Sequence, residues 1–205
     1  MINEFFDKVY LINLPSATDR LSAATENCEK VGIEFEIIPA ISGSSEEVII
    51  NTPEHTGWNR NAAALGLTTL NIIKDAKEKG YKNIFIMEDD VDFINFNFNK
   101  ILAKALKGLP ADWDFFHLNV ANEFPSKWVS TCLVRLGGAW CCQAYGINAS
   151  VYDKYISELE KFERPIDEIT MNLHKLREKS FATSPSIVIH HEGNYSTLRE
   201  DIVDY

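Results

Sequence analysis

The chain has 205 residues, 45% of them hydrophobic and 24% charged, which suits a soluble globular protein with room for one α/β domain and a full core. A formal net charge of -10 argues against non-specific binding to nucleic acid or an anionic membrane, and any phosphates bound here need a metal ion or a few placed basic residues. Met1 to Asp7 lacks the basic start and apolar stretch of a signal peptide, and no apolar run reaches the ~20 residues that cross a bilayer. A cytoplasmic chain without a transmembrane segment is therefore expected.

Lys8 to Leu14 reads as the first strand, with Val9, Leu11 and Ile12 as its apolar residues, and Pro15-Ser16 ends it. Ser16, with Asp19 in the reciprocal position, predicts the cap of a helix that runs to Val31 and stops at Gly32. Glu34 to Pro39 is the second strand, and Ala40-Ile41-Ser42-Gly43 its exit. A strand–helix–strand unit this short predicts parallel pairing. Ser44 to Trp58 has no clear period and reads as a loop with a short strand at Val48 to Ile50. Leu65, Ile72, Ile73 and Ala76 share one face of a predicted helix from Asn61 to Lys79, closed by Gly80.

Ile84 to Met87 follows as an apolar strand and ends in Glu88-Asp89-Asp90. Three carboxylates emerging together at a strand end repel one another, which is tolerable in bulk water or around a cation. Hard ions such as magnesium or manganese favour such oxygen ligands and commonly bridge a protein to phosphate. The other reading is a solvated acidic turn. The pattern then gives a helix over Asn97 to Lys107, a strand over Asp114 to Leu118 and a flexible or closely packed point at Gly137-Gly138. A strand over Gln143 to Ile147 and a helix around Val151 to Leu159 come next. Pro165 opens another helix, and a last strand covers Ser186 to Ile189. The tail from about Leu198 to Tyr205 reads as flexible or lid-like. With no repeat or linker, residues 1–205 read as one domain.

Alternating strands and helices predict an α/β fold with a mostly parallel central sheet and helices on both faces. Ligands bind such sheets beyond the carboxyl ends of the strands. That rule sets Asn13-Leu14, Ala40-Ile41 and Glu88-Asp89-Asp90 on one rim, which strengthens the reading of a metal and a nucleotide. Cys28, Cys132, Cys141 and Cys142 form no Cys-x-x-Cys pair and read as reduced structural residues rather than a zinc site.

Val9-Tyr10-Leu11-Ile12-Asn13-Leu14 with Asp19-Arg20 resembles the opening of glycosyltransferase family 25, which includes lipooligosaccharide and collagen hydroxylysine galactosyltransferases. Gly32 to Glu36 with Pro39 to Gly43, Ile86 to Val91, Asp112 to Leu118, Ala144 to Ile147, Pro165-Ile166-Asp167 and Ser196-Thr197-Leu198 match that family in order and spacing. The resemblance implies a GT-A (Rossmann-like) fold, a nucleotide-sugar donor such as UDP-galactose, and inversion at the anomeric carbon. UDP-glucose is the second donor expected. The acceptor is a hydroxyl of a glycan, as in lipopolysaccharide biosynthesis, or of a protein. The chain departs from the family where Ala64-Leu65 and Thr68-Thr69 replace the usual Gly-Cys and Ser-His, and where His191 replaces a glutamine.

With the resemblance included, Asp90 is the first candidate metal ligand, for Mn2+ or Mg2+. Glu88 contacts the metal or the donor ribose, and His191 is a third ligand or else a structural histidine. Asp89 points the other way, toward buried donors or the sugar. Asn13 and Leu14, Arg20 and Ala40 complete the donor-binding set. Arg20 is unfavourable near a helix start, so it contacts phosphate or ribose, or it pairs with Asp19 or Glu26. Asn13 contacts the base or caps the turn. Asp167 is the candidate general base or a first-turn acid that suits the helix dipole, with Glu168 and Glu192 as rivals. Among the tryptophans, Trp140 is the candidate sugar platform. Two other functions stand beside transfer: a degenerate carbohydrate- or nucleotide-binding domain, and a nucleotidylyltransferase. The latter usually carries a glycine-rich phosphate loop, which Leu14 to Arg20 lacks.

Overall fold

The computed structural model describes residues 1–52, 59–94, 96–121, 124–190, 195–196 and 201–202. In chain order the strands are β1 (Lys8–Asn13), β2 (Glu36–Pro39), β3 (Asn83–Glu88), β4 (Val91–Phe93), β5 (Phe115–His117), β6 (Lys127–Ser130), β7 (Leu133–Arg135), β8 (Ala144–Asn148), β9 (Ser180–Thr183) and β10 (Val188–His190). Two-residue strands β11 (Tyr195–Ser196) and β12 (Asp201–Ile202) pair with each other. The helices are α1 (Ile2–Phe5), α2 (Thr18–Val31), α3 (Glu46–Asn51), α4 (Arg60–Glu78), α5 (Phe98–Gly108), α6 (Tyr152–Leu159) and α7 (Ile166–Arg177).

Eight strands form the central sheet in the order β2-β1-β3-β8-β5-β9-β7-β6. β1 lies parallel between β2 and β3, and β5 lies parallel to β9. β8 runs against β3 and β5, and β7 against β9 and β6, so these two strands oppose the direction of the others. The β1-α2-β2 unit pairs in parallel, as its length requires.

Period-2 alternation sorts each strand onto two cores. Val9 and Leu11 of β1 and Phe85 and Met87 of β3 pack with Ala24 and Cys28 of α2 and Phe98 and Leu102 of α5. Tyr10 and Ile12, with Ile84 and Ile86, face the opposite core of α4, α6 and α7. Both faces are covered, so β1 and β3 bury nearly every residue. The missing side chain of Gly146 on β8 lets Phe6 approach; a Cβ there would lie 2.4 Å from the Phe6 ring.

Several boundaries differ from the sequence expectation. Val48 to Ile50 is helical, inside α3, because Ser45 caps the amide of Val48 and two acids occupy the first turn. Only Val48 of that apolar run is buried. Helix α2 is capped at Ala17 without a side-chain bond, while Leu14 to Ala17 forms a turn closed by a 2.8 Å backbone bond. Gly32 ends the helix in the left-handed conformation, as expected (φ 72°). The predicted strand over Ser186 to Ile189 is β10, which leaves the main sheet and pairs with β4. Gly137 and Gly138 are tightly packed, with a Cβ at Gly137 only 2.6 Å from the Pro125 carbonyl oxygen.

Candidate active site

The carboxyl ends of β1, β2 and β3 meet on one rim because the three strands are parallel. A solvent-open cleft of about 590 Å³ lies beyond them, lined by Leu14, Arg20, Ala40, Asn61, Leu65 and Glu88 among others. Its second wall is the exit of β2. The Ala40 amide donates to the Asn13 carbonyl (2.8 Å), and the Ile41 amide donates to the Thr68 hydroxyl of α4 (3.0 Å). Gly43 abuts α4 so closely that a Cβ would fall 2.3 Å from Asn61 Oδ1. Thr68, at a position where the chain departs from its resemblance, therefore braces the cleft wall from behind.

The three acids after β3 have different surroundings. Asp89 is buried at 7% exposure, forms an ion pair with Arg20 and accepts a 2.6 Å bond from Asn13 Nδ2. Burial pushes its carboxyl up against the opposing pull of Arg20 and Asn13. Arg20 pairs with Asp89 at the edge of the cleft. Asn13 also donates to the Ala17 carbonyl (3.1 Å), which is the turn-holding arm of its two readings.

Glu88 lines the cleft, and its carboxyl is held well above the usual range. Burial is the largest cause, followed by repulsion from Asp90, Asp167 and Asp89, while Arg20 opposes the shift. Asp90 lines a second hollow of about 420 Å³ between α2 and the acidic turn, and Arg20 and Asp89 wall both spaces. Among the described residues, no group of three or more His, Cys, Asp or Glu side chains could hold a metal ion. His191 lies outside the described residues; the strand before it ends at His190, opposite Val91.

Asp167 occupies the first turn of α7, where the helix dipole favours an acid. Its charge raises both Glu88 and the buried Cys142 thiol, so the fold brings it to the same rim although it is distant in sequence. Its rival Glu168 pairs with Arg164. Glu192, like Trp58, lies outside the described residues. Trp140 is half-buried and joined to Ala121 by two backbone bonds. Trp113 is a core anchor against Phe5 and Phe6, and Trp128 is exposed on β6. His117 is buried against His174 at 3.2 Å, and desolvation lowers it to about 3. All four cysteines are free thiols, and Cys141-Cys142 lie just before β8.

Sequence reading missed two residues at this rim, Gln143 and Asn119. β8 runs antiparallel to β3, so its start meets the end of β3, and the Gln143 carbonyl accepts the Glu88 amide at 2.8 Å. The Gln143 side chain reaches Asp90, and Asn119 in turn bonds Gln143.

Residues 6–170 match the model of glycosyltransferase family 25 (LPS biosynthesis protein), and the chain belongs to that family. It is a glycosyltransferase, an enzyme that brings a sugar donor to an acceptor. Among solved structures, the chain is similar to A197 from STIV at 16% identity, covering 89% of this chain and 84% of that one with a TM-score of 0.46. A glycosyltransferase involved in glycosylation of the major capsid of PBCV-1 shows 13% identity, covering 74% and 64% of the two chains, with a TM-score of 0.43. Mannose-1-phosphate geranyltransferase from Thermus thermophilus shows 9% identity, covering 86% and 72%, with a TM-score of 0.43. No curated protein matches. No helix among the described residues is long and apolar enough to cross a membrane.

Proposed function

We propose that the enzyme transfers a hexose, galactose first and glucose second, from a UDP-sugar to a glycan hydroxyl with inversion, assisted by Mn2+ or Mg2+. The observation that carries this reading is the Glu88 carboxyl, half-sheltered in the cleft and surrounded by the charges of Asp90, Asp167 and Asp89. Only Arg20 offsets them among the causes that shift Glu88. Such a group favours a cationic guest.

The donor set fits a hard cation of a particular kind. Magnesium is commonly held by one or two carboxylates plus substrate phosphates rather than by a protein cage. Glu88 and Asp90 supply that number, in keeping with the lack of a larger cluster among the described residues. Glu88 and Asp90 would hold such a cation, and it would supply charge neutralisation for the departing diphosphate. Arg20, at the cleft edge and paired with Asp89, would meet the same phosphates. Leu14, Ala40, Ile41 and Leu65 give the cleft an apolar lining that suits a base or ribose face. Asp167 would take the acceptor hydroxyl proton at a carboxylate oxygen as the sugar bond forms from the opposite side.

Thermal unfolding with UDP, UDP-galactose, UDP-glucose and GDP-mannose, each with and without Mn2+, tests this. Binding to the native state raises the melting temperature by mass action. The expected result is a rise that requires both a UDP species and Mn2+ and disappears in Asp90→Ala. No rise with any donor would reject the reading in favour of a solvated acidic turn.

A further inference from the structure

We infer that Gln143, oriented by Asn119, is a positioning residue that clasps Glu88 and Asp90 into one ligand set. The inference rests on the metal-dependent reading above and adds two residues that the acidic motif does not contain.

The geometry is reciprocal. Gln143 Nε2 donates to the Asp90 carbonyl oxygen and to Asp90 Oδ1, both at 2.9 Å. The Gln143 backbone carbonyl accepts the Glu88 amide at 2.8 Å. One residue thus grips the turn on both sides of Asp89. Gln143 is itself 2% exposed, so its amide sits away from water, where a misplaced polar group is costly.

The direction of the amide is fixed by chemistry. Both atoms of Asp90 that Gln143 meets are acceptors, so Gln143 must present its NH2 group to them. Its Oε1 then faces away and requires a donor, which Asn119 Nδ2 supplies at 2.7 Å. The same nitrogen lies 3.3 Å from Cys141 Sγ. Asn119 is itself 7% exposed and sits just beyond β5, so both residues of the relay stand at the same rim as the acids. The acids repel one another, and the Gln143 bonds act against that repulsion by fixing Asp90 to the start of β8. Outer-shell hydrogen bonds of this kind orient metal-binding carboxylates, and their loss typically weakens metal affinity by about 10–100-fold.

The test is a titration of Mn2+ into the full chain with UDP present, following the electron paramagnetic resonance signal of free Mn2+, with no turnover involved. Gln143→Glu keeps the shape but sets a carboxylate against Asp90. Asn119→Asp removes the donor to Oε1, which turns the Gln143 amide around without touching Asp90. Both variants are expected to bind Mn2+ about 10–100-fold more weakly than wild type. Melting temperatures without metal identify any variant that fails to fold; should Gln143→Glu fail, Asn119→Asp decides. Wild-type Mn2+ affinity in folded variants, with Asp90→Ala losing it, would overturn the relay and leave the metal reading standing. No Mn2+ binding by wild type would remove the metal reading and the relay together.

Discussion

At the amino end of β5, Asp114 is fully buried and completely answered: Arg177 bonds it through Nε (2.5 Å) and through a second nitrogen (3.1 Å), and Ser150 donates at 2.8 Å. At the carboxyl end of β3, Glu88 is pushed up by burial and by neighbouring acids. β3 and β5 both run against β8, so the two acids stand at opposite ends of the same sheet. Helix α7 supplies a residue to each end, with Asp167 in its first turn and Arg177 as its last residue. The difference separates an acid answered by a fixed guanidinium from one crowded by other acids at the mouth of a cleft. A strong fixed counter-charge marks structure, and like charges gathered at a rim mark a site.

The largest expected effect on folding lies at the structural end. Asp114→Ala leaves Arg177 and Ser150 without their partner, and breaking such a pair typically costs about 3–5 kcal/mol. Denaturant unfolding should show a loss of that size with no change in Mn2+ affinity of the folded fraction. A loss comparable to an exposed pair, below about 1 kcal/mol, would make the Asp114 clamp ornamental.

A smaller and sharper contrast comes from two neighbouring threonines on the cleft-facing helix. Thr68 accepts from the Ile41 amide and donates to the Ala64 carbonyl at 2.8 Å. The Thr69 hydroxyl is buried with no hydrogen-bond partner. Thr68→Val leaves the Ile41 amide unpaired, a loss of about 1–3 kcal/mol, and should raise the donor KM by loosening the cleft wall. Thr69→Val exchanges an idle hydroxyl for a methyl group and should be neutral or stabilising. Equal effects from both substitutions would remove Thr68 from the cleft's support.

These contrasts also show how far the sequence could be read. The Ile84 to Met87 strand and its acidic end were legible because an apolar run followed by three acids is a local pattern. The rim followed from parallel order, and Leu14, Arg20, Ala40, Glu88 and Asp89 do line one cleft. Family resemblance singled out Asp167, whose charge does reach Glu88. β6, β7 and β9 were missed because their pairing is settled by partners distant in sequence; β9, Ser180 to Thr183, carries a single large apolar residue. The misread Val48 to Ile50 shows a serine cap and two acids overriding β-branched composition. Gln143 and Asn119 carried no signal, because uncharged amides reveal their role only once the acid they hold is beside them in space.

The subtlest prediction uses the stability of the protein itself to distinguish the two ends. Glu88 has a folded-state pKa above its unfolded value, which is about 4.3 for a free glutamate. Below that value both states carry the proton and the group makes no difference to stability. As pH rises past it, the unfolded chain releases its proton first, so stability falls until the folded carboxyl also ionises. Glu88→Gln removes this penalty. Its melting temperature should exceed that of wild type at neutral pH, and the two should converge below about pH 4. Mn2+ with UDP should then close the gap at neutral pH by raising wild type alone, while the variant loses transfer. If wild type and variant melt together at every pH, Glu88 is answered within the fold as fully as Asp114 is, and the charge asymmetry between the two ends of the sheet does not exist.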